Sequence, residues 1–158
     1  VAEALAAIAG QVPWVVDPVM HDESGAAALD AAAAHALKAK VILNATVLTP
    51  NVPEAEALTG YRISSPEDME RAAHMLLTLG PKAVLLKGRK LASGRTDDLL
   101  VGEEGAEWFR SPDHGAAPGH GVRGALAAGI ATGLAQGKGV RDAIAQAREF
   151  IEKMMAAV

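Results

Sequence analysis

The stretch that decides the fold runs from Ala45 to Gly60 and reads ATVLTPNVPEAEALTG. Its first part, Ala45–Thr49, is apolar or β-branched and ends at a proline, which predicts a short buried strand. Asn51 is a favoured N-cap residue, and the pattern after it predicts a helix through Leu58 that stops at the glycine. A strand that leads directly into a helix is the repeating unit of α/β proteins.

The same alternation extends on both sides of this stretch. Towards the N-terminus the pattern predicts a helix over Val1–Ala9, a strand over Trp14–Val16 and a helix over Ala31–Lys40 capped by Asp30. Towards the C-terminus it predicts a helix from the N-cap Ser65 to Leu79 with Gly80 as C-cap, followed by a strand over Ala83–Lys87. Next comes a hairpin, with strands over Asp98–Val101 and Ala106–Phe109 around Gly102–Gly105. A loop over Ser111–Gly119 then leads to two helices, over Ala125–Ala135 and Val140–Met155. We therefore predict one α/β domain over residues 1–158, with a mainly parallel sheet flanked by helices and a late antiparallel edge.

Composition narrows the classes of function. The 158 residues carry a formal net charge of −4 with scattered lysines and arginines, so no basic stripe is present to bind a nucleic-acid backbone. The sequence has no cysteine, which excludes disulfides, thiolate metal sites and a cysteine nucleophile and fits a cytoplasmic protein. Its longest apolar runs fall short of the roughly 20 residues that a membrane span needs. We expect neither nucleic acid nor membrane as a partner.

Polar residues follow three of the predicted strands. Asp17 follows the first strand, Asn51 and Glu54 follow the second, and Lys87 follows the third. Ligands of open α/β sheets bind beyond the carboxyl ends of the strands, where two acids and an amide offer oxygen ligands to Mg²⁺ and a lysine can neutralise phosphate. The alternative is that these residues have only local structural roles. Asn51 would cap a helix, the negative charge of Glu54 would interact favourably with the helix dipole, and Asp17 would begin a turn.

A glycine-rich segment over Gly119–Gly124 leads into the predicted helix at Ala125. Backbone N–H groups and the helix dipole at such a point can cradle an anion. The segment matches G-x-G-x-x-G, but a polar loop precedes it instead of a strand, which argues against a dinucleotide site. The alternative is a plain loop between hairpin and helix. His120 within it is the one histidine in a candidate site, and no histidine has the spacing of a zinc ligand.

Small residues repeat along the helix that follows this segment, at Gly124, Gly129, Gly133 and Gly137. Such a stripe allows a neighbouring helix to approach closely, because glycine has no Cβ. We predict that these four glycines serve the packing of the fold.

Taken in order along the chain, these pieces form one pattern. They are Asp17-Pro18-Val19-Met20, Ser24-Gly25, Thr49-Pro50-Asn51-Val52-Pro53-Glu54-Ala55, Leu85-Leu86-Lys87-Gly88, and a His120-Gly121 segment before an alanine-rich helix that ends Leu134-Ala135-Gln136-Gly137. This order resembles the hydroxymethylpyrimidine/phosphomethylpyrimidine kinases of the ribokinase-like superfamily over nearly the whole chain. The first and third pieces are specific to the branch that also holds the pyridoxal kinases.

The resemblance implies a ribokinase-like α/β fold, with the N-terminal portion of the family lacking here, and a kinase of thiamine biosynthesis that uses ATP and Mg²⁺. It implies that Asn51 and Glu54 organise Mg²⁺ and phosphate, that Asp17 helps with the metal or phosphate, and that Lys87 lies near the ATP phosphates. It further implies an anion hole for the transferred phosphoryl group, formed by Gly121, Val122, Arg123 and Gly124.

Gly124 marks a departure from the family pattern. The family loop reads Gly-Thr-Gly-Cys or Gly-Ala-Gly-Asp, so the position of the catalytic Cys or Asp holds a glycine in this chain. A positioned general base raises the rate of a reaction by about 10²- to 10⁴-fold. Its loss therefore predicts a much slower phosphoryl transfer, even if ATP still binds. Arg123 has two interpretations. Its guanidinium pairs with phosphate, or its Cβ strains a backbone angle that the glycine of the family tolerates.

Three functions stay open at this level. The first is phosphorylation of hydroxymethylpyrimidine and its monophosphate. The second is a non-catalytic, degenerate kinase module that binds nucleotide or a partner chain, with its sheet edge completed by another polypeptide. The third is a pyridoxal kinase-like enzyme, which shares the motifs and differs in the substrate pocket. The expected partners are ATP and a small pyrimidine, together with a second copy or a complementing chain.

Overall fold

The computed structural model describes residues 4, 7, 8, 10–20, 28–88, 97–110 and 120–156, with side chains described for residues 124–155 of the last range. Its strands are β1 (Val15–Val16), β2 (Val47–Leu48), β3 (Ala83–Leu86), β4 (Asp98–Gly102) and β5 (Gly105–Phe109). They form one sheet in the order β1-β2-β3-β4-β5. The first three strands are parallel, and β4 and β5 are antiparallel to their neighbours. The predicted α/β sheet with a late antiparallel edge is confirmed.

Helices lie in the connections from β1 to β2 and from β2 to β3, and two more follow β5. They are α1 (Ala31–Ala36), α2 (Val52–Thr59), α3 (Pro66–Leu77), α4 (His120–Ala135) and α5 (Val140–Ala156). The three predicted N-caps are confirmed, because the side chains of Asp30, Asn51 and Ser65 each accept the backbone N–H of the residue three positions later. Within the described ranges, no helix is long and apolar enough to cross a membrane.

Apolar side chains cover both faces of the sheet. Leu48 and Leu86 belong to one buried cluster, which includes residues of α2 and α3. Val47 and Leu85 belong to a second cluster on the other face, which includes residues of α4 and α5. All four residues of β3 are buried, as expected for a parallel strand covered on both faces. Burial of each large apolar side chain contributes about 1.5–3 kcal/mol, so this layering supplies most of the stability.

Several predicted elements were too wide. The strands predicted over Trp14–Val16 and Ala83–Lys87 are each one residue shorter, as Val15–Val16 and Ala83–Leu86. The helix predicted over Ala31–Lys40 keeps α geometry only through Ala36 and continues as a π-helical turn over Leu37–Val41 and a 3-10 turn over Ile42–Asn44. The strand predicted over Ala45–Thr49 is paired on both sides only within β2, since the backbone leaves the 3-10 turn immediately before it. The predicted helix over Val1–Ala9, the Ser24-Gly25 pair and the predicted loop over Ser111–Gly119 lie largely or wholly outside the described residues.

The end of α3 differs from the prediction as well. Its C-cap is Thr78, and Gly80 follows two residues later with a φ of 108°. A Cβ at Gly80 would lie 2.6 Å from Cδ1 of Leu43, so close approach and backbone angle both require glycine there. The hairpin is confirmed with a tighter turn, because β4 and β5 pair up to their terminal glycines and leave Glu103 and Glu104 as a two-residue loop.

Helices α4 and α5 pack closely through two of the predicted small positions. A Cβ built at Gly129 would lie 2.8 Å from the Cβ of Ala147, and one at Gly133 would lie 2.8 Å from the Cβ and 2.9 Å from the Cα of Ala143. The later residue of α4 thus meets the earlier residue of α5. The two helices therefore run antiparallel, and the N-terminal part of α4 lies beside the C-terminal part of α5.

The packing prediction is wrong for the other two glycines. A Cβ at Gly124 or at Gly137 would meet no described atom within 4 Å. Gly137 instead follows α4 with a φ of 81°, a backbone angle that favours glycine at a helix end. Gly124 has neither a close neighbour nor a positive φ, so the described residues give no packing reason for a glycine there.

We expect Gly133→Ala to lower the free energy of unfolding by about 1–3 kcal/mol, because the added methyl group overpacks against the backbone of Ala143. The better helix propensity of alanine offsets at most about 1 kcal/mol of this loss. Equilibrium urea unfolding measures the difference. Gly124→Ala on the same helix is the matched control and should leave stability unchanged or slightly raised. Equal stability of the two variants would contradict the close α4–α5 contact.

The first turn of α3 is closed by a network around Asp68. This carboxylate accepts hydrogen bonds from the Ser64 hydroxyl at 2.7 Å, the Tyr61 hydroxyl at 2.8 Å and the backbone N–H groups of Ser64 and Ser65 at 3.1 and 3.2 Å. The bonds from Ser64 and Tyr61 hold the pKa of Asp68 well below its ordinary value. The ionised form is therefore the form that stabilises the start of α3.

This network predicts an acid-sensitive contribution to stability. A carboxyl whose folded pKa is depressed contributes fully above its unfolded pKa of about 3.9, and the contribution is lost as the pH falls towards the folded pKa. Asp68→Asn should therefore be less stable than the parent at about pH 7, with a gap that narrows at about pH 3. Urea unfolding at both pH values tests this, with Glu152→Gln on α5 as control. A gap that is constant with pH would show that Asp68 does not titrate as its contacts require.

Candidate functional site

The predicted polar residues meet at the carboxyl ends of β1, β2 and β3. These strands are adjacent and parallel, with Val16 beside Leu48 and Leu48 beside Val84, so the residues that follow them share one edge of the sheet. Asn51 and Lys87 form an isolated parallel bridge just beyond β2 and β3, and the Lys87 N–H donates to the Pro50 carbonyl at 2.8 Å. The predicted convergence of this edge is confirmed.

An ion pair occupies the centre of this edge. Nζ of Lys87 donates to Oδ1 of Asp17 at 2.7 Å, and the hydroxyl of Thr49 donates to the same oxygen at 3.0 Å. The Lys87 and Asp17 side chains are 13% and 19% exposed, so water reaches both while neighbours restrict their motion. The Lys87 ammonium group is thereby held at this edge of the sheet, where an anion in solution can reach it.

Asn51 and Glu54 form a capping box at the start of α2. The Asn51 side chain accepts the Glu54 N–H at 2.9 Å, and the Glu54 carboxylate accepts the Asn51 N–H at 2.8 Å. Glu54 is buried to 7% relative exposure. The local alternative for these two residues, that they cap and balance a helix, is therefore confirmed. Capping does not exclude ligand binding, because the box fixes both side chains at the edge next to Lys87.

The glycine-rich segment lies within the first turns of a helix. We expected the helix to begin at Ala125, whereas α4 begins at His120 and includes Gly121, Val122, Arg123 and Gly124. The side chains of residues 120–123 lie outside the described set, and Gly124 is exposed. Arg141 pairs with Glu107 in β5 and Arg148 pairs with Asp98 at the start of β4, so α5 runs towards the start of β4. Since α4 is antiparallel to α5, the first turn of α4 lies towards that same edge of the sheet. That is the edge next to Lys87, because β4 runs antiparallel to β3.

Comparison with known proteins identifies the family. The family model described as phosphomethylpyrimidine kinase matches residues 1–158. The chain belongs to the phosphomethylpyrimidine kinase family. It is 38% identical over 151 residues to a hydroxymethylpyrimidine/phosphomethylpyrimidine kinase of Streptomyces coelicolor, which covers 96% of this chain and 55% of that protein. It is 44% identical over 137 residues to the thiamine biosynthesis bifunctional protein ThiED of Geobacter sulfurreducens, covering 87% of this chain and 28% of that protein.

Comparison with solved structures shows that this member of the phosphomethylpyrimidine kinase family has the ribokinase-like fold. A phosphomethylpyrimidine kinase from Clostridium difficile matches with a TM-score of 0.76 and 34% identity over 90% of this chain and 57% of the other. A pyridoxal kinase from Staphylococcus aureus in complex with AMP-PCP matches with a TM-score of 0.82 and 29% identity over 96% of this chain and 55% of the other. The chain thus spans little more than half the length of these relatives.

A second ion pair at the same edge of this family member escaped the sequence analysis. Asp98 opens β4, one position beyond the Leu86–Leu99 pair, so it lies opposite Lys87. Its Oδ1 accepts the Gly88 N–H at 2.9 Å, and its Oδ2 accepts the guanidinium of Arg148 on α5. Burial raises the pKa of the Asp98 carboxyl, and the charge of Arg148 opposes that rise. The pair fastens α5 to the strand end that carries the lysine.

The sequence carried only a faint signal of this pair. A charged residue at the first position of an otherwise apolar strand, Asp98-Leu99-Leu100-Val101, is the one local clue. Its partner lies 50 positions away on α5, and no helix pattern identifies which arginine on that helix is buried. Arg141 on the same helix makes an exposed ion pair with Glu107 at 2.9 Å.

Proposed function

We propose that this chain carries the nucleotide-handling half of a phosphotransferase that uses Mg²⁺-ATP to phosphorylate hydroxymethylpyrimidine and its monophosphate. The observation that carries the proposal is the Lys87–Asp17 ion pair at the edge where three parallel strand ends meet, in a chain whose family model is phosphomethylpyrimidine kinase. A binding edge at the carboxyl ends of parallel strands is where α/β proteins take their ligands. Solved relatives are named as complexes with ADP and AMP-PCP.

The residues of this edge have distinct parts in the proposal. Phosphoryl transfer depends on positioning and on neutralising the negative charge of the phosphates. Lys87 supplies a fixed positive charge, and Asp17 orients it before the nucleotide arrives. Backbone N–H groups in the first turn of α4 face the transferred phosphoryl group, since a helix N-terminus favours negative charge. In this arrangement Gly121, Val122, Arg123 and Gly124 contribute main-chain atoms.

The described residues fit a magnesium ion that is held mainly by its nucleotide. No cluster of three or more carboxylate or histidine side chains suited to a metal is present among them. Mg²⁺ keeps several waters and is commonly bound by one or two carboxylates together with substrate phosphates. Both described hydrogen bonds of the Asp17 carboxylate fall on Oδ1, so Oδ2 can face such an ion, and Glu54 lies beside the same edge. The ion would neutralise negative charge on the nucleotide phosphates.

A non-catalytic nucleotide-binding module is the second candidate, and Gly124 is the observation that favours it. By resemblance, this position holds the catalytic Cys or Asp, and a glycine there provides neither acid nor base. A pyridoxal kinase-like activity is the third candidate, because several solved structures similar to this chain are pyridoxal kinases. All three candidates assume a cytoplasmic location, which the cysteine-free sequence favours.

The deciding experiment measures ATP-dependent phosphorylation of hydroxymethylpyrimidine, its monophosphate and pyridoxal, with calorimetric binding of Mg²⁺-ATP on the same sample. Turnover of the pyrimidines supports the kinase, and faster turnover of pyridoxal supports the third candidate. Binding of ATP without turnover supports the module. Failure of both binding and turnover contradicts the proposed function.

A further inference from the structure

The candidate lysine is fixed by its main chain as well as by its side chain. On one side, the Lys87 N–H donates to the Pro50 carbonyl at 2.8 Å. On the other side, the next N–H, that of Gly88, donates to Oδ1 of Asp98 at 2.9 Å. The peptide group that follows the lysine is therefore bonded to a carboxylate, and the position of that carboxylate decides where the peptide lies.

Asp98 owes its position to α5. Its Oδ2 accepts the Arg148 guanidinium, and the two side chains are 13% and 11% exposed. Arg148 also donates to the Arg110 carbonyl at 3.3 Å and the Phe109 carbonyl at 3.5 Å, and its guanidinium carbon lies 5.5 Å from the centre of the Phe109 ring. The arginine thus holds the end of β5 and the start of β4 at the same time.

The chain before β4 lies close to Gly88. A Cβ built at Gly88 would clash with the Asp97 carbonyl oxygen, so only a glycine leaves room for the chain before β4 at this position. A movement of Asp98 would therefore be transmitted to Gly88 and to the lysine before it. Without its arginine, the buried Asp98 carboxylate would also attract the ammonium group of Lys87, in competition with Asp17.

We propose that Arg148 is a positioning residue for the nucleotide site, which acts through Asp98 on the main chain of Gly88 and thereby on Lys87. This inference rests on the proposed function, in which Lys87 faces the nucleotide phosphates. It assigns to Arg148 on α5 the task of aligning Lys87 at the centre of the edge.

The test uses Arg148→Met and Arg148→Lys in the full chain, with Arg141→Met as the matched control. Arg141 lies on the same helix and also bridges to β5, through an exposed pair with Glu107, so its removal costs α5 an ion pair without touching Asp98. The first readout is amide hydrogen exchange of Gly88 in the nucleotide-free protein. Arg148→Met should lower the protection of the Gly88 N–H by about tenfold relative to the amides of β3, with partial rescue in Arg148→Lys and no change in Arg141→Met.

The second readout is calorimetric affinity for Mg²⁺-ATP, measured with and without Lys87→Met. Arg148→Met should weaken binding by about tenfold in the parent and by much less when Lys87 is already gone, because residues that act through one another are not additive. Equal losses in both backgrounds, or unchanged Gly88 protection, overturn the inference. If Arg148→Met does not fold, Arg148→Met/Asp98→Asn removes both buried charges and carries the same two measurements. If the parent binds no nucleotide, the proposed function fails, and Gly88 exchange alone then decides whether Arg148 positions this peptide.

Discussion

Replacement of Gly124 by cysteine or aspartate is expected to raise the rate of ATP-dependent phosphorylation by about 10²- to 10⁴-fold, the range that a positioned general base contributes. The resemblance places the catalytic Cys or Asp of the family at this position. In the structure Gly124 is exposed, and a Cβ there would meet no described atom within 4 Å. A side chain can therefore be added at this position without displacing a described neighbour.

Steady-state kinetics with hydroxymethylpyrimidine and its monophosphate measure the gain. Gly124→Ala and Gly124→Ser are the matched controls, because they add a side chain of similar size at the same backbone position without a thiol or carboxylate. Both controls should remain at the rate of the parent, and Mg²⁺-ATP affinity should be similar in all five proteins. If the cysteine and aspartate variants are no faster than the alanine variant, position 124 does not hold the missing base.

The edge of the sheet was the part of the site that sequence patterns could predict. Asp17, Asn51 and Lys87 each follow an apolar run that ends in a turn signal, and parallel strands bring their carboxyl ends together whatever the remaining packing. The capping box was predictable for the same reason, since Asn51 and Glu54 stand three positions apart and their bonds are local. Side chains that interact within a turn, or through strand order alone, leave a pattern in the sequence.

Features set by distant neighbours could not be predicted in this way. The N–H groups of Thr46 and Val47 both donate to the Trp14 carbonyl, a contact that no local pattern encodes. Arg148 and Asp98 are joined only because α5 lies over β4, which depends on the packing of α4 against α5. The glycine stripe on α4 showed the same limit: all four positions look alike in sequence, and among the described residues only Gly129 and Gly133 have a close neighbour.

Replacement of Lys87 by methionine is expected to weaken Mg²⁺-ATP binding by about 10- to 100-fold, the equivalent of one hydrogen bond to a charged group. Calorimetry measures the affinity directly, so the result does not depend on whether the parent turns over. Lys82→Met is the matched control. Lys82 is an exposed lysine just before β3, at the opposite end of the strand from Lys87, and its loss should leave the affinity unchanged.

Removal of Lys87 also leaves Asp17 with the Thr49 hydroxyl as its described partner, so a weaker affinity could arise from a destabilised edge. The double variant Lys87→Met/Asp17→Asn separates the two causes, because the neutral amide no longer needs a cation. We expect the double variant to regain the free energy of unfolding lost in Lys87→Met, while its Mg²⁺-ATP affinity stays well below that of the single variant Asp17→Asn. Those last two proteins differ only at residue 87. Equal affinities would therefore show that the lysine holds the fold at this edge and does not bind the phosphates.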